Sequence, residues 1–207
     1  MERYRKPKKR LPPEDQFESP EEYYDEENLY NYTHSKSLMW IQEKITRRAL
    51  EIIDAEPPAL ILDVGMGCGF STTYLMLNDF DVVGIELIYE MLIQYDLTEL
   101  NPVNGDMRCL PFRERSFDYI FSISAFQWII NKLKPKKRDL VLKNAAIMFR
   151  TLLKPGGKAI LQFYPSDESV LKDIGAIFAD HGGFSGNFVI DNPKGSPKRK
   201  IYLYLEA

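Results

Sequence analysis

Leu60–Phe70 reads LILDVGMGCGF: a continuous apolar run, one acid, then glycines at 65, 67 and 69. The apolar part matches a strand buried on both faces, as in a parallel sheet. The glycines let the backbone turn sharply from strand to helix and approach a ligand that a Cβ would exclude. A dinucleotide loop would place a further glycine at position 70, where this chain has Phe70. The strand also ends in Asp63, a carboxylate that would be repelled by a pyrophosphate but suits a ligand bearing an amino group and a sulfonium.

Working outward, apolar positions 38, 41, 45, 49 and 52 recur at helical spacing, and EPP at 56–58 stops that helix. Strand-like runs follow at 80–86, near 102–105, at 118–124 and at 157–164, alternating with helical patterns at 70–78, 88–95, 139–153 and 167–181. Such alternation implies crossover units and a mainly parallel sheet. KPGG at 154–157 is expected to end the preceding helix on glycine. NFVID (187–191) and KIYLYLE (200–206) have no helix between them, which predicts a hairpin. The predicted fold is α/β: a Rossmann-like, mostly parallel seven-stranded sheet ending in an antiparallel hairpin, the outline of a class I methyltransferase.

The bulk properties narrow the options. The chain has 207 residues, 44% hydrophobic and 13% aromatic, enough for one buried domain at 29–207. Residues 1–28 are rich in charge and poor in aliphatics and are expected to form a flexible arm. No run is long and apolar enough to span a bilayer, and the first ten residues lack the apolar core of a secretion signal, so a soluble protein with no membrane partner is expected. The two cysteines, Cys68 and Cys109, have no ligand spacing around them, and no metal site is expected. A net charge of −3 speaks against a generic polyanion binder, yet basic blocks at 3–10, 132–138 and 194–200 alternate with an acidic block at 14–27. Such blocks serve either as solvated tails and loops or as phosphate contacts around a site.

Three acids close successive predicted strands. Glu86 lies about twenty residues beyond the glycines, where a carboxylate accepts hydrogen bonds from both ribose hydroxyls. Asp106, in NGDM, is placed to accept from an adenine amino group, with Leu87 and Met107 flanking the ring. Together with Asp63 and the glycine loop they favour S-adenosyl-L-methionine as the ligand. The segment after the fourth predicted strand, SISAFQWIIN (122–131), lacks the Asn/Asp-Pro-Pro-aromatic turn used on exocyclic amines, and Cys109 lacks the context of a cytosine C5 nucleophile.

The blocks ISAFQWIIN (123–131), LQFYP (161–165), GGFSG (182–186) and RALEII (48–53) resemble the eukaryotic 18S rRNA (guanine-N7) methyltransferase family, over about residues 12–205. The resemblance implies S-adenosylmethionine, methylation of a guanine N7 in small-subunit rRNA during ribosome biogenesis, and a heterodimer with a small zinc-binding activator subunit. Carried over, it implies Gly65, Met66, Gly67, Gly69, Glu86, Leu87, Asp106 and Met107 around the cofactor, with Asp63 near its charged end. Ser122 and Ser124 would line the pocket and Tyr32 would close it. Phe126, Gln127, Trp128 and Tyr164 would position the guanine; for Trp128 and Tyr164 core filling is an equal alternative. N7 carries a lone pair and no proton, so no general base is expected.

Family members carry a long basic C-terminal tail, whereas this sequence stops at Ala207, and NYTHSKS (31–37) departs from the family's Asn-Ser-Arg run. An archaeal or reduced member is expected, cytoplasmic in an archaeon and nuclear or nucleolar in a eukaryote. The rival functions are a small-molecule or protein methyltransferase on the same fold, and an assembly factor acting mainly by binding. LTELNPV (97–103) is the expected edge for the activator.

Overall fold

The computed structural model describes residues 11–94, 102–131, 133–165, 167–192 and 199–207. Seven strands form one sheet: β1 (Leu60–Val64), β2 (Asp81–Glu86), β3 (Val103–Asn104), β4 (Phe117–Ile123), β5 (Leu153–Phe163), β6 (Ser185–Asp191) and β7 (Lys200–Glu206), in the order β3-β2-β1-β4-β5-β7-β6. The pairs β1–β2, β1–β4, β2–β3 and β4–β5 are parallel. The hairpin is present, with β7 inserted antiparallel between β5 and β6.

Side chains alternate across the pleat and build two cores. Leu62, Ile120, Leu161 and Leu203 face α8 (Pro135–Leu152) and α9 (Leu171–Gly182), meeting Leu142, Phe149 and Phe178. Ile61, Phe121, Ile160 and Tyr202 face α4 (Lys36–Ile53) and α5 (Phe70–Met76), meeting Ile45, Ala49 and Leu75. Each large apolar side chain so buried contributes roughly 1.5–3 kcal/mol, which is why the strands read as unbroken apolar runs. The helix predicted before β1 is α4; the Ser35 side chain accepts from the Leu38 N–H at its start, and left-handed Asp54 ends it.

Two local expectations change. α8 ends at Leu152 on an extended Leu153, before the glycines, and KPGG becomes an irregular stretch of β5: Phe117 pairs with Leu153, but Tyr119 pairs with Lys158. α6 is short, Tyr89–Leu92, and the end of the predicted 88–95 helix lies outside the described residues, as do most of LTELNPV and the basic blocks at 3–10 and 194–198. Residues 11–28 contain α1 (Pro13–Gln16), α2 (Pro20–Tyr23) and the start of α3 (Glu26–Thr33), so the expected domain boundary falls inside a helix.

Strand order reverses at β1, whose neighbours β2 and β4 lead the chain in opposite directions across the sheet. Ligands on open α/β sheets bind at the carboxyl ends of the strands beside such a point.

Candidate active site

A cavity of about 550 Å³ opens there, lined by the ends of β1, β2 and β4, the β3–β4 loop, and residues of α2, α3, α7 (Gln127–Ile130) and α8. Its floor is the glycine loop. Gly65 and Gly67 have φ of +76° and +58°, and both line the cavity with Met66. Gly69 (φ +67°) is the N-cap of α5 and turns the chain into that helix. A Cβ at position 65 would collide with Ala125 Cβ and come within 2.9 Å of Met107 Cε. At position 67 it would meet nothing nearer than 3.7 Å.

Asp63 is fully buried and does not line the cavity. Ser71 Oγ and Thr72 Oγ1 donate to its Oδ2 at 2.6 and 2.7 Å, tying the first turn of α5 to β1; Oδ1 has no partner among the described residues. Burial raises its pKa, and the two hydroxyls only partly offset this. Glu86 ends β2 on the cavity wall, accepting from the Gly67 N–H at 2.8 Å and the Ile88 N–H at 2.9 Å. Those bonds aim the carboxylate at the glycine loop and use only part of its accepting capacity, leaving it able to receive a diol. Burial raises its pKa too, against the pull of the backbone donors.

Asp106 and Met107 line the wall after β3, near Leu87. The Arg108 side chain forks onto Asp106, Nε donating to both carboxylate oxygens at 2.9 Å, while the Arg108 backbone N–H donates to Oδ1 at 2.8 Å. Burial alone would raise the Asp106 pKa, but Arg108 outweighs it and the net shift is downward. Arg108 was not anticipated, although its two-residue spacing from an acid was a local signal.

The expected pocket serines and guanine-positioning residues separate. Ser124, at φ +56°, turns the chain out of β4; its Oγ donates to Gln162 Oε1 at 2.7 Å, and it lines the cavity. Trp128 also lines it. Phe126 instead turns back into the core, its ring 6.0 Å from Phe163 and 6.3 Å from Phe178, which corrects the expectation that it faces a base. Gln127 is buried, its Nε2 donating to the Ser124 carbonyl at 2.8 Å, and Ser122 Oγ donates to the Val64 carbonyl at 2.9 Å; neither lines the cavity. Tyr164 lies away from it, with Lys200 Nζ donating to its hydroxyl and sitting 4.6 Å from its ring centroid.

The N-terminal segment supplies aromatics that sequence reading missed because it weighed only the acids there. Tyr24 packs edge-on against Tyr32 (5.5 Å) and lies 6.2 Å from Trp128, while Tyr23 lies 6.0 Å from Trp128. Tyr32, which was expected, lines the cavity beside Tyr24 and stacks toward Phe70 at 5.8 Å. Burial raises the pKa of both cavity tyrosines, so both stay protonated at neutral pH. Cys68 is buried, its thiol pushed up to about 12, chiefly by desolvation; it is a small loop residue and not a nucleophile. No cluster of three or more metal-ligating side chains exists among the described residues, and none of their helices is long and apolar enough to cross a membrane.

A glycine floor at the point where strand order reverses, with a backbone-held acid at the end of β2, defines an S-adenosylmethionine-dependent methyltransferase of the Rossmann-like class. Residues 62–161 match the family model described as a methyltransferase domain. The chain is 34% identical over 197 residues to the 18S rRNA (guanine-N(7))-methyltransferase bud23 of Schizosaccharomyces pombe, covering 91% of this chain and 72% of that protein. It is 36% identical over 194 residues to the 18S rRNA (guanine-N(7))-methyltransferase of Bos taurus, covering 90% and 68%. Among solved structures, a Pyrococcus horikoshii protein superposes with a TM-score of 0.66 at 18% identity, covering 89% of this chain and 98% of that one. A chain from the Haloferax volcanii complex between the Trm112 methyltransferase activator and a methyltransferase gives 0.62 at 17% identity, covering 86% and 96%. The chain belongs to the 18S rRNA (guanine-N7)-methyltransferase family.

Proposed function

We propose that this protein transfers a methyl group from S-adenosylmethionine to N7 of a guanine in small-subunit rRNA. The observation that carries the reading is one cavity lined by the glycine loop, by Glu86 and by Trp128. The residues fit the cofactor: the glycine floor admits a ligand where a Cβ at Gly65 would clash, and Glu86 has accepting capacity to spare. Bound there, S-adenosylmethionine supplies an electrophilic methyl on sulfonium. Gly65 and Gly67 would hold its amino-acid end, Glu86 its ribose hydroxyls, and Asp106 its adenine amino group between Leu87 and Met107.

The chain's own contribution is positional. In this reading the free acceptor positions of Glu86 are taken by the ribose hydroxyls, Asp106 is forked onto Arg108, and the two tyrosines stay protonated, so no group of the site is set aside as a base for the methyl acceptor. Guanine N7 has no proton to lose, so this arrangement suits it, whereas an amine or hydroxyl acceptor would need a base. Trp128 would stack on the exposed guanine, and Tyr24 with Tyr32 would exclude water from the cofactor side. Holding reactants in line contributes roughly 7–11 kcal/mol in favourable cases.

A small activator subunit is the proposed partner, in keeping with the Haloferax volcanii complex. Among the described residues β3 pairs with β2 through Val103 and Asn104 at the sheet edge, and Tyr89 and Ile93, of α6 and its end, are exposed. An added strand would satisfy that edge and cover the apolar side chains. The resemblance implies that this subunit binds zinc, and that the enzyme works in the cytoplasm of an archaeon or the nucleus or nucleolus of a eukaryote.

The test is methyl transfer from labelled S-adenosylmethionine to purified small-subunit rRNA, followed by nucleoside chromatography and by reduction and aniline cleavage at 7-methylguanosine. A single cleaved position is expected. Label in any other nucleoside, or none with the activator present, would refute the reading.

A further inference from the structure

Several cations among the described residues are held in ion pairs. Arg48 pairs with Asp191, Lys154 with Asp118, Arg199 with Glu168, and Arg138 with both Asp139 and Asp173. Among the described residues, Lys134 and Lys137 are the cations that line the cavity without an ion pair. Both are exposed, both line the mouth of the cavity, and neither side chain has an ion pair or hydrogen bond among the described residues.

Their position does not serve the fold. Lys134 precedes α8 without a side-chain cap, Lys136 and Lys137 lie in the first turn, and no acid offsets them there. Cations at that end of a helix oppose its dipole, at a cost of roughly 0.3–1 kcal/mol each. Glu18 and Glu21 line the same mouth from the α2 side, with Trp128 and Ile129 also in the lining. The α8 rim is therefore positive, whereas on the α2 side Glu21 lies within electrostatic reach of Arg108, which also lines the cavity.

We propose that Lys134 and Lys137 grip the phosphates on either side of the methylated nucleotide, so that the RNA strand runs across the α8 rim. This rests on the rRNA reading above. Trp128 then receives the base from a fixed side, and the basic α8 rim sets the strand's position before the base enters.

The test is the salt dependence of rRNA binding by the full chain, by filter binding of purified small-subunit rRNA over a potassium chloride series. Two phosphate contacts contribute a slope of about 1.4 on single-stranded RNA, so a fourfold rise in salt should weaken wild type about sevenfold more than the Lys134→Ala/Lys137→Ala variant. The variant's KM for rRNA should rise, with S-adenosylmethionine affinity by calorimetry unchanged, which also establishes that it is folded. Lys134→Arg/Lys137→Arg should restore the slope, and Lys143→Ala, on the same helix but away from the cavity, should leave it untouched. A double alanine variant with wild-type slope and KM, in a protein that methylates rRNA, overturns this inference alone. A wild-type protein that neither binds nor methylates rRNA overturns the rRNA reading and this inference with it.

Discussion

Replacing Gly65 and Gly67 by alanine, one at a time, separates two effects that usually travel together. Both residues have positive φ, so each alanine incurs the left-handed penalty of roughly 1–2 kcal/mol. Only at 65 does the new methyl also strike a neighbour: Ala125 Cβ, which has no rotamer with which to retreat, and Met107 Cε at 2.9 Å. Overpacking of this kind costs roughly 1–3 kcal/mol. At 67 the nearest atoms, Met91 Sδ and the Tyr32 hydroxyl, are at 3.7 Å, an ordinary contact. Gly65→Ala should therefore cost about 2–5 kcal/mol and Gly67→Ala about 1–2 kcal/mol. For a domain of this size the difference between them corresponds to about 2–12 °C in melting temperature. The assay is thermal unfolding without cofactor, so that lost ligand binding does not enter. Equal melting temperatures, or a more stable Gly65→Ala, would refute the claim that Ala125 sets the packing limit over the loop.

Phe126→Ala should lower stability by about 3–5 kcal/mol, because the ring is core, whereas Trp128→Ala should reduce rRNA methylation about 5- to 150-fold, the loss of one base stack, with a smaller change in melting; denaturant titration beside rRNA kinetics checks both, and the reverse pattern would contradict the placement. Asp63 and Glu86 have raised carboxyl pKa values in the native state, so between the ordinary carboxylate range and those raised values the unfolded chain binds fewer protons and stability falls as pH rises. Asp63→Asn should remove its share, giving a shallower decline in urea stability from acid to neutral pH; parallel slopes for variant and wild type would exclude this role. A thiol reagent at neutral pH should label exposed Cys109 rapidly and Cys68 only after unfolding, since the Cys68 thiol is buried and barely ionised. Rapid labelling of both in native protein would contradict the packing of the loop.

Sequence reading located the central strands well because they are buried on both faces and therefore largely apolar, β1 and the second half of β5 above all. Gly65, Gly67 and Glu86 were legible for a related reason: backbone sterics and an acid at a strand end leave few alternatives. Side-chain direction beyond a turn was not legible. A left-handed Ser124 decides that Ala125 meets the glycine loop, that Phe126 joins the core and that Trp128 reaches the cavity, and no periodicity records that choice. The acids of the N-terminal segment likewise hid Tyr23 and Tyr24, whose contacts span about a hundred residues of sequence. The pairing of Lys154 with Asp118 and the free state of Lys134 depend equally on tertiary placement, since all are charged residues in polar surroundings.

The insertion of β7 between β5 and β6 has a consequence for synthesis. Until β7 is made and docked, β5 presents a bare hydrogen-bonding edge and β6, which pairs with β7 alone among the described strands, has no place in the sheet. The stretch from Asn192 to Glu206 takes about one to three seconds to polymerise at ordinary elongation rates. The β5 edge therefore stays open at least that long, and a neighbouring nascent chain or a chaperone can occupy it before β7 arrives.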